Sequence, residues 1–95
     1  MSEKKTTNIL NIFNKAVNYI NNNRNHNIDN DSKLKFYKFY KQATIGDINI
    51  DKPNILDIKN TMKWEAWNSI KKTSKTEAIC HYIKLLKTIS PNWDK

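Results

Sequence analysis

The sequence predicts an all-α protein that folds as one bundle of four helices. Four segments place apolar residues at i, i+3, i+4 and i+7, the spacing that gathers side chains on one face of a helix. No segment alternates apolar and polar residues as a half-buried strand does, and no hairpin signal occurs. The chain has 95 residues with 1 glycine and 2 prolines, so helix breakers are few. A chain of this length builds one core, and we expect a single domain over residues 1–95.

The first helix has one apolar and one polar face. Thr6 or Thr7 is a suitable N-cap, because a hydroxyl oxygen there can accept a hydrogen bond from a free amide of the first turn. The asparagine-rich run 21–27 has no apolar period and low helix propensity, so it is expected to be a solvated connection that ends at a cap such as Asn30 or Asp31. The apolar face of the first helix consists of Ile9, Phe13, Ala16, Val17 and Ile20.

The second helix is predicted to run to about Ile45 and to stop at Gly46, because glycine readily adopts the left-handed conformation common at helix C-termini. A helical projection of residues 34–43 divides the helix into a core sector, a solvent sector and a border between them. The core sector holds Phe36, Phe39 and Ala43, the solvent sector Lys35, Lys38 and Gln42, and the border Leu34, Tyr37, Tyr40 and Lys41.

An irregular crossover with Pro53 is predicted from Gly46 to Ile58, and a third helix follows over residues 62–70. A crossover of this length argues against a simple up-and-down bundle. In the third helix, Lys63 lies one turn before Trp67, so its stem can rest on the indole. Trp64 and Trp67 are expected in the core or at its edge.

The fourth helix opens with a capping box, in which Ser74 and Glu77 can each satisfy a free amide of the first turn. Pro91 prevents much further extension. One arc of this helix is apolar and comprises Ala78, Ile79, Tyr82, Ile83, Leu85, Leu86 and Ile89.

Charge and cysteine content restrict the classes of function. With 17 Lys and Arg against 9 Asp and Glu, the net charge of +8 favours an anionic partner: nucleic acid, an acidic membrane face or a phosphorylated small molecule. Cys80 is the only cysteine, which excludes an intramolecular disulfide and a thiolate-based zinc site and fits a reducing compartment. The N-terminus shows neither a signal-peptide core nor a spanning segment, so a cytoplasmic location is expected.

No catalytic constellation is predicted. Cys80 and His81 are neighbours on one helix and therefore point about 100° apart, so we expect both to be exposed or partly buried without a catalytic role. His26 lies in the asparagine-rich run and needs no special role. We also expect no metal site and no cofactor.

The border of the second helix places phenol hydroxyls beside an ammonium at i, i+4 spacing. Such a border suits a ligand that is part aromatic ring and part phosphate, because phenols offer stacking area and donors while lysine offers charge. The alternative is an ordinary amphipathic core edge, with the rings of Tyr37 and Tyr40 buried and Lys41 solvated.

Two motifs favour the ligand interpretation, YKFYKQATIGD at residues 37–47 and KWEAWN at 63–68. Further motif positions are Lys52-Pro53, Asp57, Thr73-Ser74-Lys75, Glu77-Ala78 and Tyr82-Ile83. In this order and spacing, the chain resembles the acyl-CoA-binding protein family over roughly residues 34–86. The resemblance implies a four-helix bundle with up-down-down-up topology that binds long-chain acyl-CoA in a bowl on its surface.

The resemblance also implies a set of ligand-binding residues. Tyr37, Lys41 and Lys63 match positions that bind the 3′-phosphate region of CoA, and Lys59 matches a further lysine of the site. Tyr40 and Tyr82 match positions along the adenine and the upper acyl path. Phe13, Val17 and Ile20 match an apolar wall, Asn21 matches a position near the nucleotide, and Leu34 completes the expected set.

Several positions depart from the family pattern. Asn21 stands where many members of the family have a lysine, and its neutral amide does not supply the charge of that lysine. Lys72 replaces a glycine between the third and fourth helices, where a left-handed residue other than glycine costs about 1 kcal/mol. Asn54 and Asn60 replace glycines of the crossover, and asparagine tolerates positive φ better than most residues.

The predicted function is therefore a non-catalytic intracellular carrier of medium- to long-chain acyl-CoA thioesters. The expected partners are acyl-CoA-using enzymes and transient membrane surfaces, with the protein a monomer that does not bind nucleic acid. The alternative is a small basic nucleic-acid-binding helical module, suggested by the net charge and the interleaved aromatic residues and lysines.

Overall fold

A computed structural model describes residues 2–22 and 28–94, with the side chains of the first helix from residue 8 onward. Within these residues there are four α-helices and no strand. The helices are α1 (Ser2–Asn22), α2 (Asn30–Thr44), α3 (Ile58–Asn68) and α4 (Lys75–Ile89). The predicted all-α fold of four helices is confirmed. None of the described helices is both long and apolar enough to cross a bilayer.

Helix α4 packs against α1 and α2, and α3 packs against α2. This order of contacts is the one expected of the up-down-down-up bundle, in which a long crossover separates α2 from α3. The apolar faces predicted for α1 and α4 meet in the core, where Ala16 and Ala78 are fully buried and allow the two helices to approach closely. The buried cluster consists of Phe13, Ala16, Phe36, Ala43, Ala78, Ile79, Tyr82, Leu86 and Trp93.

Two of the predicted N-caps are wrong. Helix α1 begins at Ser2, so Thr6 and Thr7 lie within it, because the preceding Ser-Glu-Lys-Lys segment contains no breaker and two residue types of high helix propensity. Helix α2 is capped by Asp29, one residue before the predicted Asn30 and two before Asp31, and the Asp29 carboxylate accepts a hydrogen bond of 2.7 Å from the Ser32 N–H. This hydrogen bond lowers the pKa of Asp29.

The C-terminus of α2 follows the prediction, and the capping box of α4 is confirmed for Ser74 but not for Glu77, whose carboxylate accepts from the Ser74 hydroxyl rather than from a free amide. Gly46 has φ +100°, and its N–H donates to the Lys41 carbonyl at 3.3 Å, which closes the C-terminus of α2. The Ser74 Oγ accepts the Glu77 N–H at 3.1 Å and donates to the Glu77 carboxylate at 3.2 Å, so the two capping-box residues pair at the start of α4. After Pro91 the chain turns, and Trp93 packs edge-on against Tyr19.

Helix α3 begins at Ile58, four residues before the predicted start, because the Asp57 carboxylate caps it by accepting the Asn60 N–H. Asn60 therefore has helical geometry, and Asn54 also lacks a positive φ, so the left-handed conformation considered for these two positions is not adopted. Lys72 does adopt it, with φ 77°, as expected where a glycine is usual.

Gln42 is buried, although the helical projection placed it in the solvent sector. The projection considers one helix alone, whereas the start of the crossover and the turn before α4 cover this face. Asn21 and Asn22 are the last two residues of α1, while the remainder of the predicted connection, residues 23–27 with His26, lies outside the described part of the chain.

Candidate ligand-binding site

Two adjoining cavities open on the surface beside the N-terminal half of α2. The larger has a volume of about 670 Å³ and lies between α2 and α3. The smaller, of about 360 Å³, lies between α1, α2 and α4. Tyr37 and Lys33 border both cavities, so the two cavities adjoin at these side chains.

The larger cavity combines aliphatic walls with cations. Helix α3 contributes two apolar and two basic residues, with the members of each pair four positions apart. Helix α2 contributes one basic and one apolar residue, Lys33 and Leu34. No carboxylate is present among its described lining residues. The residues that line it are Asn30, Lys33, Leu34, Tyr37, Ile58, Lys59, Met62 and Lys63.

The smaller cavity is bordered mainly by aromatic rings. Beneath it, the Phe13 ring stacks on Tyr40 with centroids 6.2 Å apart and meets Tyr82 edge-on at 5.2 Å. Phe36 meets Tyr82 edge-on from the other side at 5.0 Å. The lining residues are Val17, Asn21, Lys33, Phe36, Tyr37, Tyr40 and Tyr82.

Two lysines from different helices converge on the Tyr37 ring. The Nζ atoms of Lys41 on α2 and Lys63 on α3 lie 5.8 Å and 5.4 Å from its centroid. Lys41 Nζ also lies 5.6 Å from the Trp67 ring. The Lys63 ammonium, expected to reach outward with its stem near Trp67, lies over Tyr37, and the ammonium that lies over the indole is that of Lys41 on α2. These contacts hold both ammonium groups at the junction of the cavities.

The site lysines make no ion pairs within residues 8–22 and 28–94, where one salt bridge occurs, between Lys52 and Glu65 at 3.5 Å. Their positive charge is therefore available to a ligand. Burial raises the pKa of Tyr37. The pKa of Tyr82 is raised by burial and by the nearby Tyr40. Both phenols stay protonated at neutral pH and can donate hydrogen bonds.

Most of the predicted site residues lie together. Leu34, Lys59 and Lys63 line the larger cavity, while Val17, Asn21, Tyr40 and Tyr82 line the smaller one, with Tyr37 in both. Phe13 lies beneath the smaller cavity and Lys41 beside Tyr37. Ile20 does not line either cavity among the described residues, because it packs against the core.

Sequence reasoning missed Lys33, the residue that borders both cavities with Tyr37. A signal was present, since positions 33, 37 and 41 are spaced four apart and form a Lys-Tyr-Lys stripe along α2. The additional lining residues Ile58 and Met62 have the same spacing on α3. As expected, Cys80 is partly buried and His81 is exposed. The His81 ring stacks on Phe39.

Comparisons with known proteins show the family of the chain. A sequence model of the family described as "Acyl CoA binding protein" matches residues 11–86. The solution structure of an acyl-CoA-binding protein from Babesia bovis superposes with a TM-score of 0.81 at 45% identity, covering 90% of this chain and 97% of that one.

Curated relatives show the same similarity over part of their length. The acyl-CoA-binding domain-containing protein 6 homolog of Dictyostelium discoideum is 46% identical over 88 residues, which are 90% of this chain and 31% of the relative. The acyl-CoA-binding protein homolog 3 of Caenorhabditis elegans is 47% identical over 57 residues, 60% of this chain and 49% of the relative. The chain thus spans 31% and 49% of the lengths of these two relatives.

Proposed function

Because this chain belongs to the acyl-CoA-binding protein family, we propose that it is a non-catalytic carrier that reversibly binds medium- to long-chain acyl-CoA thioesters. The observation that carries the proposal is the junction of the two cavities at Tyr37. There, unpaired lysines meet an aromatic cavity on one side and an aliphatic cavity on the other. An acyl-CoA is an amphiphile with a base, several phosphates and an apolar tail, and each part has a chemically matching region in this site.

The proposed roles follow from position. The phenol of Tyr37 and the ammonium groups of Lys41 and Lys63 form a cluster suited to the 3′-phosphate. Tyr40, which stacks on Phe13, and Tyr82, which meets Phe13 edge-on, border the cavity that suits the adenine. Leu34 and Lys59 lie in the larger cavity, where aliphatic walls suit the pantetheine and acyl tail, and Val17 and Asn21 close the smaller one. Ile20 acts as packing behind this wall.

The nucleic-acid-binding alternative is not adopted. The lysines of the larger cavity are separated by the aliphatic side chains Leu34, Ile58 and Met62, which suit an alkyl chain, whereas single-stranded nucleic acid needs aromatic platforms along a basic groove. We expect a monomer in the cytoplasm that exchanges its ligand with acyl-CoA-using enzymes and transiently with membranes.

The direct test is calorimetric titration with a series of acyl-CoA thioesters of increasing chain length. Each buried methylene contributes roughly 0.8 kcal/mol, so two more carbons should tighten binding about tenfold until the cavity is full. Free CoA is the control. Equal affinity for free CoA and palmitoyl-CoA would rule out a site for the tail.

A second test isolates the phosphate contact. Lys41→Ala should weaken binding of palmitoyl-CoA much more than binding of its 3′-dephospho analogue. The analogue has no 3′-phosphate, so the substitution removes no phosphate contact from it. Lys35→Ala, at an exposed position of the same helix that borders neither cavity, is the matched control. An equal loss for both ligands would contradict the assignment.

A further inference from the structure

Ile55 and Leu56 carry the most exposed large apolar side chains of the described residues, with 81% and 85% of their surface accessible. They are consecutive residues of the crossover, and only the N-cap Asp57 separates them from α3. Ile58, 70% exposed, follows them at the start of α3. Side chains of this size are seldom left so accessible in neighbouring positions without a partner.

The turn that presents these two side chains is fixed by hydrogen bonds. The Asp57 N–H donates to the Asn54 carbonyl at 2.8 Å, and the Leu56 N–H donates to Asn54 Oδ1 at 2.9 Å. The Thr61 hydroxyl donates to the same Asn54 carbonyl at 3.3 Å, which ties the turn to α3. The two apolar side chains are thus held outward by an ordered backbone, so docking would cost little conformational entropy.

The exposed apolar surface continues into the larger cavity, because Ile58 and Met62 line that cavity. Lys33, Lys59 and Lys63 line it too, without a described carboxylate among them. The acidic residues of the crossover near the turn are Asp51 and Asp57, and the Asp57 carboxylate accepts hydrogen bonds from the backbone and side-chain amides of Asn60. The turn therefore combines a small apolar projection with a cluster of lysines behind it that have no ion pair among the described residues.

We propose that the turn at residues 54–57 docks this protein on an anionic lipid surface, with Ile55 and Leu56 in the headgroup region and the lysines of the larger cavity facing lipid phosphates. Apolar side chains flanked by lysines suit such a surface, where burial and attraction to anionic lipid act together. Two side chains are too few for a protein interface, which buries about 800 Å² on each partner. The mouth of the larger cavity then lies at the bilayer surface.

This placement rests on the proposed function, because an acyl-CoA in a membrane keeps its tail among the lipids and its charged head in water. A carrier docked at this turn receives the tail without exposing it to water, since the apolar path runs from Ile55 and Leu56 through Ile58 into the cavity.

The experiment measures partition of the intact chain onto sedimented vesicles of phosphatidylcholine containing about a third phosphatidylserine, against vesicles of phosphatidylcholine alone. The double variant Ile55→Ser/Leu56→Ser is compared with Leu10→Ser/Ile12→Ser, which changes two exposed apolar residues of α1 at 45% and 43% accessibility. Neither pair lines a described cavity, so palmitoyl-CoA affinity in solution should stay at the wild-type value in both variants, which are assayed well below their thermal midpoints.

We expect the wild type to bind the anionic vesicles in preference to the neutral ones. The crossover variant should lose about tenfold in partition, whereas the α1 variant should retain it. Equal partition of the two variants, or equal binding to both kinds of vesicle, would overturn the proposal. So would a wild-type dimer in light scattering that the crossover variant dissociates, because a second copy would then cover the turn. Failure of palmitoyl-CoA to bind in solution would instead refute the proposed function, while vesicle partition would still decide whether the turn docks.

Discussion

Helix α2 carries a buried, hydrogen-bonded polar side chain near its C-terminus and accessible polar side chains in its N-terminal half. At the C-terminal end, Gln42 is fully buried, and its amide donates to Asp47 Oδ1 at 2.9 Å and to the Thr73 carbonyl at 2.7 Å. Its Oε1 accepts the Trp67 Nε1–H, which is shared with the Gly46 carbonyl. At the N-terminal end, Lys33 and Tyr37 border open cavities, and the lysines around them have no described ion pair.

On this one helix, the buried Gln42 stabilises the fold, whereas Lys33 and Tyr37 are accessible to a ligand. Buried polar groups that stabilise the fold hydrogen-bond to one another, because a buried amide or carboxylate without a partner lowers the free energy of unfolding by about 1 to 3 kcal/mol. Polar groups available to a ligand remain unpaired and therefore contribute little to stability. Substitution of the buried Gln42 should change the free energy of unfolding, whereas substitution of Lys33 at the cavities should change affinity.

The largest effect is expected from Gln42→Leu. It leaves the Thr73 carbonyl without its amide donor and removes one acceptor from Trp67, so the free energy of unfolding in urea should fall by about 3 kcal/mol. Lys35→Leu, on an exposed face of the same helix, should change it by less than about 0.5 kcal/mol. Palmitoyl-CoA affinity of the folded Gln42→Leu protein should be nearly unchanged. A Gln42→Leu protein as stable as the wild type would invalidate the contrast between the ends.

Lys33→Met tests the opposite end. Under the proposed function, it removes a cation that borders both cavities and should weaken palmitoyl-CoA binding about fivefold at low salt, with no loss in the free energy of unfolding. Lys35→Met should leave affinity unchanged, because Lys35 borders neither cavity. Isothermal titration at two salt concentrations is the measurement. Identical affinities of the two variants would show that Lys33 does not contact the ligand.

A smaller effect, this time a gain in stability, is expected from Lys72→Gly. Lys72 has φ 77°, a conformation that disfavours side chains with a Cβ atom, and glycine relieves this while adding freedom to the unfolded chain. The balance should stabilise the fold by about 0.5 kcal/mol in urea unfolding. Lys71→Gly, one residue earlier without a positive φ, should destabilise it instead. Destabilisation by both substitutions would argue against strain at Lys72.

The smallest effect at neutral pH should come from the charge of Asp47. Hydrogen bonds from the Lys72 N–H and then from the Gln42 amide hold the pKa of Asp47 below its ordinary value of 3.8. A carboxyl with a lowered pKa in the folded state stabilises the fold above its unfolded pKa, and this contribution is lost as the pH falls through the folded value.

Asp47→Asn keeps an acceptor oxygen and removes the charge. Its thermal midpoint should therefore lie below that of the wild type at pH 7, and the gap should close as the pH falls below 3.8. Asp51→Asn, at another exposed aspartate of the crossover, is the control. If the difference in thermal midpoint stayed constant with pH, the charge of Asp47 would not contribute to stability, and its role would lie in hydrogen-bond geometry alone.

The periodic elements could be predicted because their signals are local. The apolar arcs of α1 and α4, the stop at Gly46 and the capping box at Ser74 each depend on residues within a few positions of one another. The caps at Asp29 and Asp57 were missed because several neighbouring residues can cap a helix, and packing of the finished helix selects among them. The resemblance supplied the expected site residues, most of which lie around the two cavities.

By itself, the sequence determined the number of helices, the length of the crossover and the cationic, aromatic character of α2, since periodicity and composition are properties of the chain. Tertiary structure alone decided that Gln42 is buried, that Lys63 and Lys41 converge on Tyr37, and that Lys33 borders both cavities. It also left Ile55 and Leu56 uncovered. A helical projection gives directions around one axis, whereas burial and convergence depend on which neighbouring helix occupies each direction.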